Sequence, residues 1–158
     1  MKHIIKKILR EQKDEIIQAP SFAFFDYNWN DVLDWADDRL FRINGNINLS
    51  NTEITTLGGL VEVGGDLDLM YCKNLQSLGK LRSVGVWLNL YNCRNLQSLG
   101  ELESVGGDLS LFYCKNLQSL GELRSVGYDL YLKYTAIAKK MTDEEIRNQV
   151  DVKGNIIR

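Results

Sequence analysis

Histidine occurs once, at His3, proline once, at Pro20, and cysteine three times, in a chain of 158 residues with a formal net charge of −2. Each scarcity excludes something. A lone histidine near a chain end removes most acid–base and nucleophile arrangements, and no catalytic residue is expected. An odd set of three cysteines argues against a secreted disulfide framework. The near-neutral charge gives no general attraction to nucleic acid or to an anionic membrane, both of which reward clustered positive charge. No apolar run approaches the length of a membrane span. The opening MKHIIKKILREQKDEII breaks its apolar residues with charges where a signal peptide needs a continuous core. These absences point to a cytoplasmic protein that binds neither nucleic acid nor membrane. No Gly-x-Gly-x-x-Gly or Walker-type loop is present either.

What the chain does have is one phrase three times. YCKNLQSLG starts at Tyr71, returns as NCRNLQSLG at Asn92, and returns again as YCKNLQSLG at Tyr113. The step is an unvarying 21 residues, the range in which a repeat signals a solenoid whose units stack. Aligned on the cysteines, the apolar stations are Leu67, Leu69, Leu75, Leu78, Leu81 and Val84, then Leu88 to Val105, then Leu109 to Val126. The Leu-x-Leu pair has the alternation of a short strand, and the later step of three suits a tight, 3₁₀-like return path. One coil alone buries too few aliphatic side chains to offset the ordering of its backbone, so stability must reside between coils. Gly79, Gly100 and Gly121 recur at one corner, and Gly64–Gly65, Gly85 and Gly106–Gly107 precede the strands; all are read as corners. Shortened coils flank the three full ones, with Ile47, Leu49, Ile54, Leu57, Leu60 and Val63 before them and Leu130, Leu132 and Ile137 after them.

In those flanking coils Thr52 and Thr135 stand where the central coils have Cys72, Cys93 and Cys114. A metal site needs ligands converging in a tetrahedron, and a disulfide needs pairs. One cysteine per coil with threonine at either end offers neither, so the column is read as small, half-polar and buried, with no metal and no cofactor.

The run Leu67-x-Leu69-x-x-Cys72-x-x-Leu75 and its two copies resemble the leucine-rich-repeat signature of the cysteine-containing kind. The resemblance covers residues 43 to 137. Within that class the joint SVGGDL (Ser104 to Leu109) and the ending MTDEEIRNQVDVKGNIIR resemble short-repeat proteins of bacteria and tailed bacteriophages. The resemblance implies a leucine-rich-repeat solenoid of about five short coils, with a parallel sheet on one face and an irregular or 3₁₀ back. It also implies protein recognition more than catalysis, and in a phage setting a small inhibitor of a host defence protein.

Solenoid ends expose apolar layers and need covers. Residues 1–42 read as a helical N-terminal cap within a single domain 1–158: one amphipathic helix through Ile4, Ile5, Ile8, Leu9, Ile16 and Ile17, ended by Pro20, and a second started by Asn30 as N-cap with Val32, Leu33, Trp35, Ala36 and Leu40 inward. Phe22, Phe24, Phe25 and Trp29 between them are read as a plug on the first leucine layer. Residues 138–158 read as a C-terminal cap, with a helix over 143–149 begun by Thr142 and Glu145 as a capping box and a final edge strand through Val152, Gly154 and Ile156.

Residues between the inward leucines point outward and stack coil on coil. Three columns follow: Asp66, Trp87, Asp108 and Asp129; then Asn48, Asp68, Asn89, Ser110 and Tyr131; then Ser50, Met70, Tyr91, Phe112 and Lys133. Tyr71, Tyr113 and Tyr134 lie just past this edge. Trp, Met, Phe and Tyr gathered on one face are what interface centres favour, and acidic neighbours orient a partner. The twelve of these from Asp66 to Lys133 are the candidate site for a protein partner of unknown identity, the chain itself being a monomer or weak homodimer. The same aromatics and aspartates also suit a carbohydrate-binding or carbohydrate-cleaving solenoid, which is the alternative. The copied polar columns Lys73, Arg94, Lys115 and Ser77, Ser98, Ser119 read as a solvated rim, and Asn74, Asn95, Asn116 as turn-bonding residues.

Overall fold

A computed structural model describes residues 15–158. Over these residues the chain winds as a solenoid of short strands that pair only in parallel, in two sheets. The front sheet has six strands: Ile47–Asn48, Leu67–Asp68, Leu88–Asn89, Leu109–Ser110, Leu130–Tyr131 and Ile156–Ile157. Its register puts Leu67, Leu88, Leu109 and Leu130 side by side, as a 21-residue step requires. The inward leucines and valines of the three full coils are at most 2% exposed, and they form one continuous core.

Apart from its last strand, at Val152, the second sheet departs from the expected irregular back. Seven strands make it: Ile17–Ala19, Phe41–Ile43, Leu60–Val63, Ser83–Val84, Ser104–Val105, Ser125–Val126 and Asp151–Val152. The sequence reading gives this side an irregular or 3₁₀ return. The physical reason for the difference is register: once the front strands pair at a fixed step, every extended stretch elsewhere in the coil lies one strand spacing from its copy. Arg82 N–H therefore donates to Val61 O at 2.9 Å, and Glu103 N–H to Arg82 O at 2.9 Å. In the full coils this sheet takes only two residues per strand, too few to show an alternation in sequence.

Both ends join the same ladders. The expected first helix falls mostly outside the described residues, but Ile17–Ala19 is a strand paired with Phe41–Ile43. Pro20 biases Ala19 toward an extended backbone, and the open edge of Phe41–Ile43 supplies the partner. Helix α1 spans Trp29–Ala36, and its N-cap is Asn28, whose side chain accepts the Asn30 N–H at 3.0 Å; Asn30 is inside the helix. The helix stops at Asp37 in a left-handed conformation, so Leu40 lies beyond it. Phe22, Phe25 and Trp29 are buried in the plug, while Phe24 is 69% exposed. The Trp29 indole donates to Thr56 O at 3.2 Å, tying the plug to the first coil.

After Leu132 two short helices intervene, α2 (Ala136–Lys140) and α3 (Asp143–Gln149). Helix α3 begins with the expected capping box: the Thr142 hydroxyl accepts the Glu145 N–H at 3.2 Å, and the Thr142 N–H donates to the Glu145 carboxylate at 2.7 Å. That carboxyl is held below its ordinary range, chiefly by the Thr142 backbone bond. Thr142→Ala should lower stability by about 1 kcal/mol, read by equilibrium urea unfolding. Instead of one edge strand, the tail supplies two: Asp151–Val152 extends one sheet and Ile156–Ile157 the other. Arg147 donates to the carbonyls of Val152 and Gly154 and so pins the turn between them.

Candidate functional site

Inside the front turn the three cysteines line up, free and buried, one per coil. Each thiol reaches back to the coil before it. Cys72 Sγ donates to Leu49 O at 3.1 Å, Cys93 to Leu69 O at 3.0 Å, and Cys114 to Leu90 O at 3.1 Å. The terminal threonines instead close their own turns, Thr52 on Leu49 O and Thr135 on Leu132 O, each at 2.6 Å. Burial pushes the Cys114 thiol up to about 12 and raises those of Cys72 and Cys93. Protonated and enclosed, they are stitches between coils.

The front face divides into residues that build the solenoid and residues that do not. In the first outward column Asn46, Asp66, Asp108 and Asp129 use Oδ1 to accept the first N–H of the following strand's column: from Asp66 at 2.8 Å, Trp87 at 3.0 Å, Asp129 at 2.8 Å and Asn155 at 2.7 Å. The three aspartates among them are therefore already engaged with backbone through one oxygen. In the second column Asn48, Asp68 and Asn89 accept the N–H two residues on, at 2.9, 3.0 and 3.0 Å, and so form the turn that ends each strand. Asn89 also donates its amide to Asp68 at 3.0 Å.

Two candidates do not stand out on the surface as expected. Asn89 is 5% exposed and Ser110 7%. Their side chains are shorter than the aromatic residues beside them in the sheet, and Asn89 is consumed by turn bonds. The other columns are half-buried: Asp66, Asp68, Met70, Trp87, Tyr91, Asp108, Phe112, Asp129 and Tyr131, with Lys133 exposed.

Trp87 breaks the first column. It stands where the other coils place an oxygen acceptor, and an indole cannot accept. Around it, Asp108, Ser110, Phe112 and Tyr131 complete a shallow depression of about 250 Å³. Toward the turn the rings continue as a band. Phe112 lies 5.4 Å from Tyr131 and 6.3 Å from Tyr91, Tyr91 lies 5.4 Å from Tyr71 and 5.6 Å from Tyr113, and Tyr113 stacks on Tyr134 at 4.4 Å. Desolvation, then the charges of Asp108 and Asp129, raises the Tyr131 phenol above its ordinary value. Tyr91 and Tyr113 are raised too, by desolvation first and by neighbouring tyrosines second.

Tyr71, Tyr113 and Tyr134 adopt φ of 61°, 60° and 63°, in the left-handed region, at the station where Asn51 and Asn92 sit in other coils. Asparagine tolerates that conformation and a bulky residue does not. The fold would be served better by asparagine throughout, so the tyrosines need another reason. Only their position past the edge was legible in the sequence; the αL strain and the Tyr113–Tyr134 stack were not. Val86 and Tyr128 are a further addition, 51% and 67% exposed. They interrupt a column of glycines, as the bonds Val86 N–H to Gly65 O and Tyr128 N–H to Gly107 O show, and that interruption was visible in the spacing.

On the rim, Ser77 and Ser98 do more than meet solvent, accepting the N–H of Gly79 and Gly100 at 3.0 and 2.9 Å. Asn95 donates to Lys73 O on the preceding coil at 2.8 Å, while Asn74 donates to Glu53 at 2.6 Å. Among the described residues no helix is long and apolar enough to cross a membrane. Comparison with family models, with curated proteins and with solved structures finds no match for this chain.

Proposed function

We propose that this chain is a non-enzymatic leucine-rich-repeat-type solenoid, capped at both ends, that binds a partner protein through the aromatic band of its front sheet. The observation that carries this is Trp87, the one aromatic residue in a column whose other stations, Asn46, Asp66, Asp108 and Asp129, each carry an oxygen acceptor for backbone. Residues that weaken their own scaffold yet stay reachable are where binding energy concentrates. The aspartates, engaged with backbone through one oxygen, keep the other for a partner and set the sign of charge it must carry. Its resemblance to phage short-repeat proteins makes a host defence protein the natural target.

Affinity purification with mass spectrometry, run with the native chain and with Trp87→Ala/Tyr91→Ala/Phe112→Ala, tests this. Three central aromatic truncations should weaken capture by about a hundredfold or more, with circular dichroism unchanged. A variant that keeps its partners would move the interface to the ends. A glycan array on the same protein addresses the rival: ligands there that depend on Trp87 would replace protein binding with sugar binding.

A further inference from the structure

The five ion pairs among the described residues join Arg42 to Glu62, Lys80 and Arg82 to Glu101, Lys153 to Asp151 and Arg158 to Asp143. None involves Asp66, Asp68, Asp108 or Asp129, so the front face carries four carboxylates with no cation of the described chain against them. Lys133, the one cation in its columns, rests instead over the Tyr134 ring at 5.3 Å. The depression beside Trp87 thus combines three aromatic walls with a carboxylate whose second oxygen is uncommitted. At about 250 Å³ it is smaller than the range that holds a drug-sized ligand, and it fits a single side chain.

We infer that this depression receives the guanidinium of an arginine presented by the partner protein, stacked between Trp87, Phe112 and Tyr131 and donating to Asp108. The inference rests on the protein-binding reading and names the chemistry of its anchor. Aromatic faces attract cations through their ring quadrupole. A guanidinium is flat, weakly hydrated and able to stack while it donates in plane, which a strongly hydrated ammonium does less well. Asp129 lies one strand from Asp108, a separation of about 4.8 Å, so its charge reinforces the same site.

The test needs no partner, so its failure is distinct from a failed purification. The native chain is titrated with N-acetyl-arginine amide, N-acetyl-lysine amide and the neutral isostere N-acetyl-citrulline amide, following the Trp87 indole N–H by NMR, assigned through Trp87→Phe. Arginine amide should shift that signal with an affinity about tenfold above citrulline, and lysine should fall between them. Asp108→Asn keeps an oxygen for the Asp129 N–H, so the fold persists, and should lose most of that advantage; Glu122→Gln, which removes an equal charge elsewhere, should not. Equal shifts from arginine and citrulline, an unmoved Trp87 signal, or equal effects of the two charge variants would overturn the inference. Lysine matching arginine would overturn the assignment to a guanidinium.

Discussion

Gly106→Ala is expected to destabilise the protein by about 3 kcal/mol or more, at or beyond the upper end of ordinary overpacking. An added methyl at Gly106 would overlap the Gly85 carbonyl of the preceding coil, and the same overlap recurs from Gly85 onto Gly64 and from Gly127 onto Gly106. The obstacle is backbone, held by the ladder bond from Gly106 N–H to Val84 O at 2.9 Å, so no side chain can swing aside. Coils would have to separate locally, and separation breaks the interface that stabilises each of them. Gly79→Ala is the matched control. Gly79 has φ of 59° with open space where a methyl would go, so that change should cost only about 1 kcal/mol of left-handed strain. Chemical unfolding of both variants should separate them clearly. Similar losses would mean that backbone conformation, rather than the close approach of coils, sets the need for glycine.

Stability should also fall steeply at alkaline pH because of the cysteine column. The sign follows from linkage. Burial raises each thiol above its ordinary value near 9, so above that pH the unfolded chain releases protons that the folded chain retains. The contribution is intact below pH 9 and is lost as pH rises toward the folded value, which for Cys114 is about 12. Each thiol costs up to about 1.4 kcal/mol per pH unit in that window. Against a total stability on the order of 10 kcal/mol, a loss of that size is readily measured. The measurement is urea unfolding from pH 7 to 11 for the native chain and for Cys72→Ala/Cys93→Ala/Cys114→Ala. The variant should start less stable and decline along a flatter slope. Parallel slopes would show that other groups govern the alkaline limit.

The repeat was legible because it is written in large aliphatic residues at fixed stations. Leu67, Leu88 and Leu109 announce both their burial and their register, and the exchange of cysteine for Thr52 in a flanking coil announces a structural column. The capping box at Thr142 is equally local. What stayed hidden needed neighbours in space. Ser83–Val84 is strand only because Ser104–Val105 lies beside it, and Ile17–Ala19 gives up a helical pattern for an open ladder edge. The site shows the same division. Alternation was enough to place Trp87, Phe112 and Tyr131 on one face. It could not reveal that Asn89 is absorbed into turn bonds, or that Asp66, Asp108 and Asp129 each hold the backbone of the next coil.

By itself the sequence determined the stacking step, the inward residues and the outward columns, because periodicity in hydrophobicity is a one-dimensional property that backbone geometry converts directly into faces. The tertiary structure decided which outward residues belong to the scaffold and which are left over for a partner. A hydrogen bond between coils depends on atoms 21 residues apart meeting at about 3 Å, and no spacing rule along the chain contains that distance.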